Sequence, residues 1–398
     1  MAKRAQITKK NLNKGLLQEA QLLGSLDHPN IIKVHEMVKD PNQVTLTLEY
    51  VPGGSLLEHL NHPLFQTYEA IASIMEQILS AVASLHDKGI IHKDIKLENI
   101  VFQEANPFST LKLIDFGYSE RKDRSYSKSS SGTIMYMASE VFTMQYNEKV
   151  DIWAIGVVLY LLLFKELPFS GQTSDDVVEA IFNKDLNTLF KKQQKLVPNP
   201  LVIPFLQRLL ERDPSRRYSA YEALNDPFIR KFSKRPQIRR ADVENYKIYQ
   251  SKTVMELVFS SIFANNLMSF EEQNELVKAF RAIDSDNNGF VEVENEKFIC
   301  SDARKTLSSF ERASATLDLS GRLSLSNFIT ASTNFHTKKD EIRKLFVFLD
   351  RDNDMMIKVN DIYQILEGNV DKQILDEMKR HFESQKCYEV THLIFTFD

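Results

Sequence analysis

IIHKDIKLENIV, residues 90–101, sets a carboxylate, an ammonium two residues on and a carboxamide three beyond that: Asp94, Lys96 and Asn99. Phosphoryl transfer asks little covalent chemistry of a protein. It needs Mg²⁺ held on the phosphates, a group that orients the attacking hydroxyl, and neutralisation of developing charge. Asp94 suits the hydroxyl, Lys96 the charge, and Asn99 a metal ion. Such a loop is normally preceded by a glycine-rich lid, yet Gly15 and Gly24 are the only glycines before Gly53, so no G-x-G-x-x-G lies upstream.

Working outward, IDFG places Asp115 as the main Mg²⁺ ligand, followed by a packing Phe116 and by Gly117 for loop freedom. GTIMYMASE at 132–140, DIWAIG at 151–156 and Arg217 in DPSRRYS follow in order. A single D-F-G tripeptide is weak evidence, whereas the ordered set is specific. Before the loop, NLNKGLLQEAQLLGSL has a helical period. IIKVHEMVKD and QVTLTLEYV alternate like strands across the turn signal DPNQ. YEAIASIMEQILSAVASLHDKG reads as an amphipathic helix closed by Gly89, and Trp153 as a core residue. His28, in DHPN, reads as a turn and docking residue.

Residues 271–398 repeat a helix–loop–helix theme at roughly 30–35-residue spacing. Ca²⁺ takes six to eight oxygens from a twelve-residue loop with glycine at the sixth position. DSDNNGFVEVEN, residues 284–295, offers Asp284, Asp286, Asn288 and Glu292, with a carbonyl from Phe290 and Gly289 in place. Asn295 stands at the last position, where a bidentate glutamate is usual, so weak or partial binding is expected. DRDNDMMIKVND, residues 350–361, keeps Asp350, Asp352, Asp354 and Asp361 but has Met355 for glycine. TLDLSGRLSLSN at 316–327 and ESQKCYEVTHLI at 383–394 have lost most ligands and read as metal-free.

Length and composition suit two or three soluble domains: 398 residues, 43% hydrophobic and 26% charged. A formal net charge of -4 implies no general attraction to nucleic acid or anionic membrane. Cys300 and Cys387 make no disulfide framework. The longest apolar run, IGVVLYLLLF, is too short for a membrane span, and Ala2 excludes N-myristoylation of the chain as written. A cytoplasmic monomer is the expectation.

With these motifs in place, the chain resembles the calcium-dependent protein kinases of plants and protists. The resemblance implies an α+β, two-lobe kinase domain over 1–232 that is N-terminally incomplete and lacks the glycine-rich lid. A regulatory junction over 233–270 and an all-α EF-hand domain over 271–398 with four degenerate units would follow. It implies ATP and Mg²⁺, control by Ca²⁺, and Ser/Thr of protein substrates as acceptors, since Lys96 in D-x-K-x-x-N marks the Ser/Thr type.

The family pattern carries over residue by residue. Lys3 would be the strand lysine that contacts phosphate and Glu19 the helix glutamate that holds it. LEYVPGG is the adenine hinge, with backbone contacts at Glu49 and Val51, and Val101 completes the nucleotide contacts. Asp151 and Gly156 would anchor the catalytic loop, and Arg217 would pair with Glu140. The apolar face at Val254, Leu257, Val258 and Ile262 would let the junction block the kinase until calcium draws it onto the EF-hands.

Four departures stand out: Lys93 for the usual Arg, Leu97 for Pro, Ser139 for the Pro of A-P-E, and Ser55 for a Glu that reads basic substrates. Glu98 remains for that last task. The missing lid motivates a competing reading, a pseudokinase or scaffold with a weakly calcium-binding C-terminal region.

Overall fold

The computed structural model describes residues 4–10, 22–40, 43–121, 133–233, 260, 262–264, 267–284, 288–292, 322–333, 344–345, 347–349, 356–357 and 388–389. Among these, no helix is long and apolar enough to cross a membrane.

The two alternating stretches form an antiparallel hairpin, β2 (Val34–Asp40) and β3 (Gln43–Glu49). A strand that the sequence reading did not assign, β1 (Arg4–Lys10), pairs on the far side of β3, giving the order β1-β3-β2. Its register runs from Arg4 opposite Glu49 to Lys10 opposite Gln43. The basic composition of RAQITKK hides its short alternation of Ala5 and Ile7 with polar residues.

Below this sheet, α1 (Tyr68–Asp87) starts at Thr67, whose hydroxyl accepts from the Ala70 amide, and the chain turns at Gly89 with φ 64°. The sequence reads as amphipathic, yet the helix is buried from Ala70 to Leu85. Its polar stripe meets protein, not solvent: Gln77 accepts from Asn30 Nδ2 at 2.9 Å, and Ser80 pairs with His28 at 3.1 Å. Buried polar groups persist when hydrogen-bonded, so this stripe ties α1 to the turn below the sheet.

Two short ladders flank the loop quoted first, β4 (Ile90–Ile91) with β7 (Glu120–Arg121) and β5 (Ile100–Phe102) with β6 (Leu111–Leu113). Then come α2 (Ser139–Phe142), α3 (Lys149–Phe164), α4 (Ser174–Asn183), α5 (Leu186–Gln194), α6 (Val202–Leu209), α7 (Ala220–Leu224) and α8 (Pro227–Phe232). The centre of this unit is α3, buried on all sides through Leu162 and ended by Lys165 in the left-handed region. Trp153 is fully buried and stacks on Phe169 with ring centroids 5.3 Å apart, as a core residue should. Gly156 is needed for packing, because a Cβ there would lie 2.8 Å from Leu210.

In the C-terminal region, α9 (Phe270–Ile283) begins with a Ser269/Glu272 capping box. It leads through residues 288–290 into β8 (Val291–Glu292), which pairs with β9 (Arg322–Leu323) ahead of α10 (Leu325–Ser332). Phe280 of α9 and Phe328 of α10 meet edge to face at 5.5 Å. A second two-residue ladder joins β10 (Met356–Ile357) to β11 (Tyr388–Glu389). The helices expected of an all-α region are therefore linked by short ladders. Most of the junction lies outside the described residues. Of its apolar face Ile262 is described and buried, and Ala264 O accepts from Gln273 Nε2 of α9 at 2.5 Å.

Candidate active site

The loop between β4 and β5 is held by one carboxylate. Asp151, at the start of α3, accepts from the backbone amides of His92 and Lys93, each at 2.9 Å, and pairs with His86 Nε2 at 2.9 Å. Burial works to raise the Asp151 carboxyl, but His86, His92 and the amide outweigh it and hold it below the usual range. This anchoring lets Lys93 adopt φ 70°, a left-handed conformation that costs energy for a residue with a side chain. His92 is fully buried against Phe116, ring centroids 4.7 Å apart, and its pKa is lowered by burial despite the Asp151, Asp94 and Asp115 carboxylates.

Asp94, Lys96 and Asn99 converge. Lys96 Nζ donates to Asp94 Oδ2 at 2.7 Å, and Asn99 Nδ2 donates to Asp94 O at 2.8 Å and to Oδ2 at 3.0 Å. Thr133 joins them: its hydroxyl accepts from Lys96 Nζ at 3.2 Å and lies 3.5 Å from Asp94 Oδ1. The sequence assigns Thr133 no role, and its place after Gly132 is the one local signal that marks it. Burial pulls the Lys96 pKa down, but Asp94, Glu98 and Asp115 outweigh it, so the pKa is raised and the ammonium persists. Asp94 is 4% exposed, so its own carboxylate is largely shielded from water.

Asp115 follows β6. The Ile114 amide donates to Asn99 O at 2.9 Å, which ties the two loops together. Asp115 itself sits at φ 63°, with Oδ1 accepting from the Gly117 amide at 3.2 Å, while Phe116 is buried beneath. Strained non-glycine positions at Lys93 and Asp115 are of the kind that cluster at functional sites. The donor set fits a hard cation such as Mg²⁺. Because the Asn99 nitrogen is committed to Asp94, its oxygen is left to serve as a ligand, and the exposed Asp115 carboxylate has Oδ2 beyond its turn contact.

Of the nucleotide contacts, Lys3 and Glu19 lie outside the described residues. Glu49 ends β3, its amide donating to Lys33 O at 3.0 Å. Its carboxylate accepts from Lys112 at 2.8 Å, the Lys33 amide at 2.7 Å and Gln103 at 3.2 Å, so it braces the end of β3. The Val51 peptide makes no backbone hydrogen bond among the described residues. Val101 lies half-buried on β5 and is bridged to Ser55, which follows the Glu49–Val51 segment.

Three departures acquire local explanations. Lys93, in place of Arg, donates to Glu120 Oε2 at 3.1 Å, and Tyr146 donates its hydroxyl to the same carboxylate at 2.7 Å. Ser55, in place of Glu, donates to Glu58 Oε1 at 2.8 Å. Glu58 is an exposed carboxylate whose pKa is lowered chiefly by hydrogen bonds from Ser55, and the sequence reading did not single it out. Ser139 starts the short α2 and leaves Glu140 in place, where Arg217 donates to it at 2.6 and 3.3 Å, fully buried and 5.1 Å over the Trp153 ring.

In the C-terminal loop, Asp284 is buried and accepts from the amides of Asn288 at 3.1 Å and Gly289 at 2.9 Å. Asn288 Oδ1 accepts from the Phe290 amide at 2.8 Å, and Gly289 takes φ 83°. This is the turn that a sixth-position glycine serves in a calcium loop. Asp286, the Glu292 side chain, Asp350, Asp352, Asp354 and Asp361 lie outside the described residues.

Comparison with known proteins supplies the family. Residues 1–229 match the protein kinase domain. The chain is 32% identical over 367 residues to calcium-dependent protein kinase 6 of Plasmodium berghei (strain Anka), covering 91% of this chain and 24% of that one. It is 29% identical over 356 residues to calcium-dependent protein kinase 8 of Arabidopsis thaliana (86% and 66%) and 27% identical over 405 residues to calcium-dependent protein kinase 34 of the same plant (98% and 77%). The chain thus spans about a quarter of the first relative and about two thirds of the second. It belongs to the protein kinase family, and the relatives it resembles along most of its length are calcium-dependent protein kinases.

Proposed function

We propose that the chain phosphorylates Ser or Thr in protein substrates with ATP, under calcium control exerted through its C-terminal region. The observation that carries this reading is the carboxylate of Asp94, held by Lys96 and Asn99 on a loop whose backbone is fixed by Asp151. Mg²⁺, when bound, neutralises charge on the phosphates, and Asn99 and Asp115 are the side chains that would hold it. The protein's own part is positioning. Lys96 and Asn99 load Oδ2 of Asp94, which leaves Oδ1, with its long Thr133 contact, to meet the substrate. There Asp94 orients the substrate hydroxyl and accepts its proton as the new O–P bond forms and ADP departs. Lys96, kept charged, stabilises the transferring phosphoryl group.

Calcium control rests on the turn that Asp284 makes with Asn288 and Gly289 and on the printed names of the relatives, and the proposed binding there is weak or partial. Exposed Glu58 and Glu98 follow two residues joined by a backbone hydrogen bond, Leu57 N to Leu97 O at 3.3 Å, and support a preference for Arg or Lys near the target. The scaffold alternative gains nothing from a loop in which Asp94, Lys96 and Asn99 are all present and mutually bonded. A radiolabelled ATP assay on a basic Ser peptide tests the reading. Transfer that disappears in Asp115→Ala supports it, and an inactive wild-type chain refutes it.

A further inference from the structure

The turn at residues 27–30 faces two ways. Toward the kinase unit it is locked. His28 pairs with Ser80, its Nδ1 accepts from the Asn30 amide at 3.0 Å, and Asn30 Nδ2 donates to Gln77 and to Leu111 O, each at 2.9 Å. The Leu113 amide donates to Asn30 O at 2.8 Å, and Ile31 bridges Leu113 two residues before Asp115. The turn therefore sits where the sheet, α1 and the strand leading to Asp115 meet.

Toward the C-terminal region the same turn presents a carboxylate. Asp27 Oδ2 accepts from the Ser326 amide at 2.9 Å and Oδ1 from the Ser326 hydroxyl at 2.9 Å. That amide is one of the donors an α-helix leaves unsatisfied at its first turn, here the first turn of α10. Lys33 Nζ donates to Ser326 Oγ at 3.2 Å and completes the cluster. Burial works to raise the Asp27 carboxyl, but Lys33, Ser324 and Ser326 outweigh it, so it stays charged. Beside it, Gly289 packs closely against the imidazole of His28: a Cβ at Gly289 would fall 2.2 Å from His28 Cδ2. Asn274 of α9 reaches Glu104, in the connection between β5 and β6, at 3.4 Å. Helix end, loop glycine and helix side chain thus come from three separate points of the C-terminal region, and each meets the kinase unit.

We propose that residues 27–33 form a docking receptor for the chain's own C-terminal region, with the N-terminus of α10 and Gly289 as the docked elements and Asp27 as the anchoring carboxylate. The charge sign fits. A helix N-terminus carries partial positive charge and favours an anion, and hydrogen bonds to a charged group are the stronger kind. The receptor joins the region carrying the calcium-loop-like turn to the point where the small sheet is pinned to the catalytic unit. The proposal holds whether or not the chain transfers phosphate.

The test is hydrogen exchange on the full-length chain, following the amides of α10 against those of α3 as an internal reference. Asp27→Ala is expected to lower α10 protection by about tenfold or more, the size of one or two charged hydrogen bonds, with α3 unchanged. Ser326→Asp, which sets a carboxylate against Asp27 without altering a residue of the kinase unit, is expected to do the same. The double variant Asp27→Asn with Ser326→Asp moves the charge across the contact, beside Lys33, and should return most of the protection. The proposal is overturned if Asp27→Ala and Ser326→Asp leave α10 protection unchanged, or if the double variant shows the sum of the two losses. Should Asp27→Ala lower protection in α3 as well, the decision passes to Ser326→Asp and the double variant.

Discussion

Asp94 and Asp284 are both buried carboxylates that organise a loop, and they do it with different partners. Asp94 is met by side chains, Lys96 and Asn99 with Thr133 at longer range. Asp284 is met by backbone amides, those of Asn288 and Gly289. Side-chain partners define a chemical environment that one substitution can abolish. Backbone partners define a shape that survives changes of sequence as long as the glycine and the first carboxylate remain. The catalytic unit is therefore fixed by residue identity. The C-terminal loop keeps its turn although Asn295 stands where a bidentate ligand is usual.

The largest expected effect lies on the side-chain half of this comparison. Asp94→Asn keeps the side-chain shape but replaces one acceptor oxygen by an N–H donor and removes the proposed base, and should lower kcat by about 10²–10⁴, read by steady-state peptide phosphorylation. A small change there would mean that the partners of Asp94, not its charge, matter. Next comes Arg217→Ala, which leaves Glu140 buried and unpaired and should cost about 3–5 kcal/mol in denaturant unfolding of the kinase unit. On the backbone half, Asp284→Ala orphans two amides and should cost about 1.5–3 kcal/mol. That loss should appear as faster hydrogen exchange at Gly289, with phosphoryl transfer in the presence of chelator left unchanged.

The smallest effect is a pH dependence. Burial pushes the His28 pKa down to about 3, with Lys112, Lys88 and Arg281 adding to the effect and Asp27 opposing it. The unfolded chain then binds a proton near pH 6.5 that the folded chain refuses, so stability falls as pH drops below 6.5. One such group accounts for a loss of about 0.8 kcal/mol at pH 6 and about 2 kcal/mol at pH 5. His28→Asn should flatten that slope in urea unfolding measured across this range.

Much of the site was legible because its chemistry resides in residue types at fixed spacing. The meeting of Asp94, Lys96 and Asn99 could be read from that spacing, whereas the Asp151 anchor and the Arg217–Glu140 pair were expected from the family resemblance. The hairpin of β2 and β3 followed from alternation. What escaped was set by contacts distant in sequence. Strand β1 is specified by its pairing with β3 more than by its own basic composition. The polar stripe of α1 reads as a solvent face, yet it is consumed by His28 and Asn30, about 50 residues earlier. Lys93 reads only as a departure from the usual Arg, but Glu120 gives it a partner from within the chain, shared with Tyr146. Asp27 carries no local signal at all, since its partner Ser326 lies 299 residues away.

The most direct measurement of the central claim is transfer of labelled γ-phosphate from ATP with Mg²⁺ to a basic Ser peptide by the full chain, beside Asp94→Asn and Asp115→Ala. Phosphoserine formed by the wild-type chain and reduced at least about a hundredfold in both variants is the predicted result. No transfer by the wild-type chain, or transfer that both variants retain, would contradict the account.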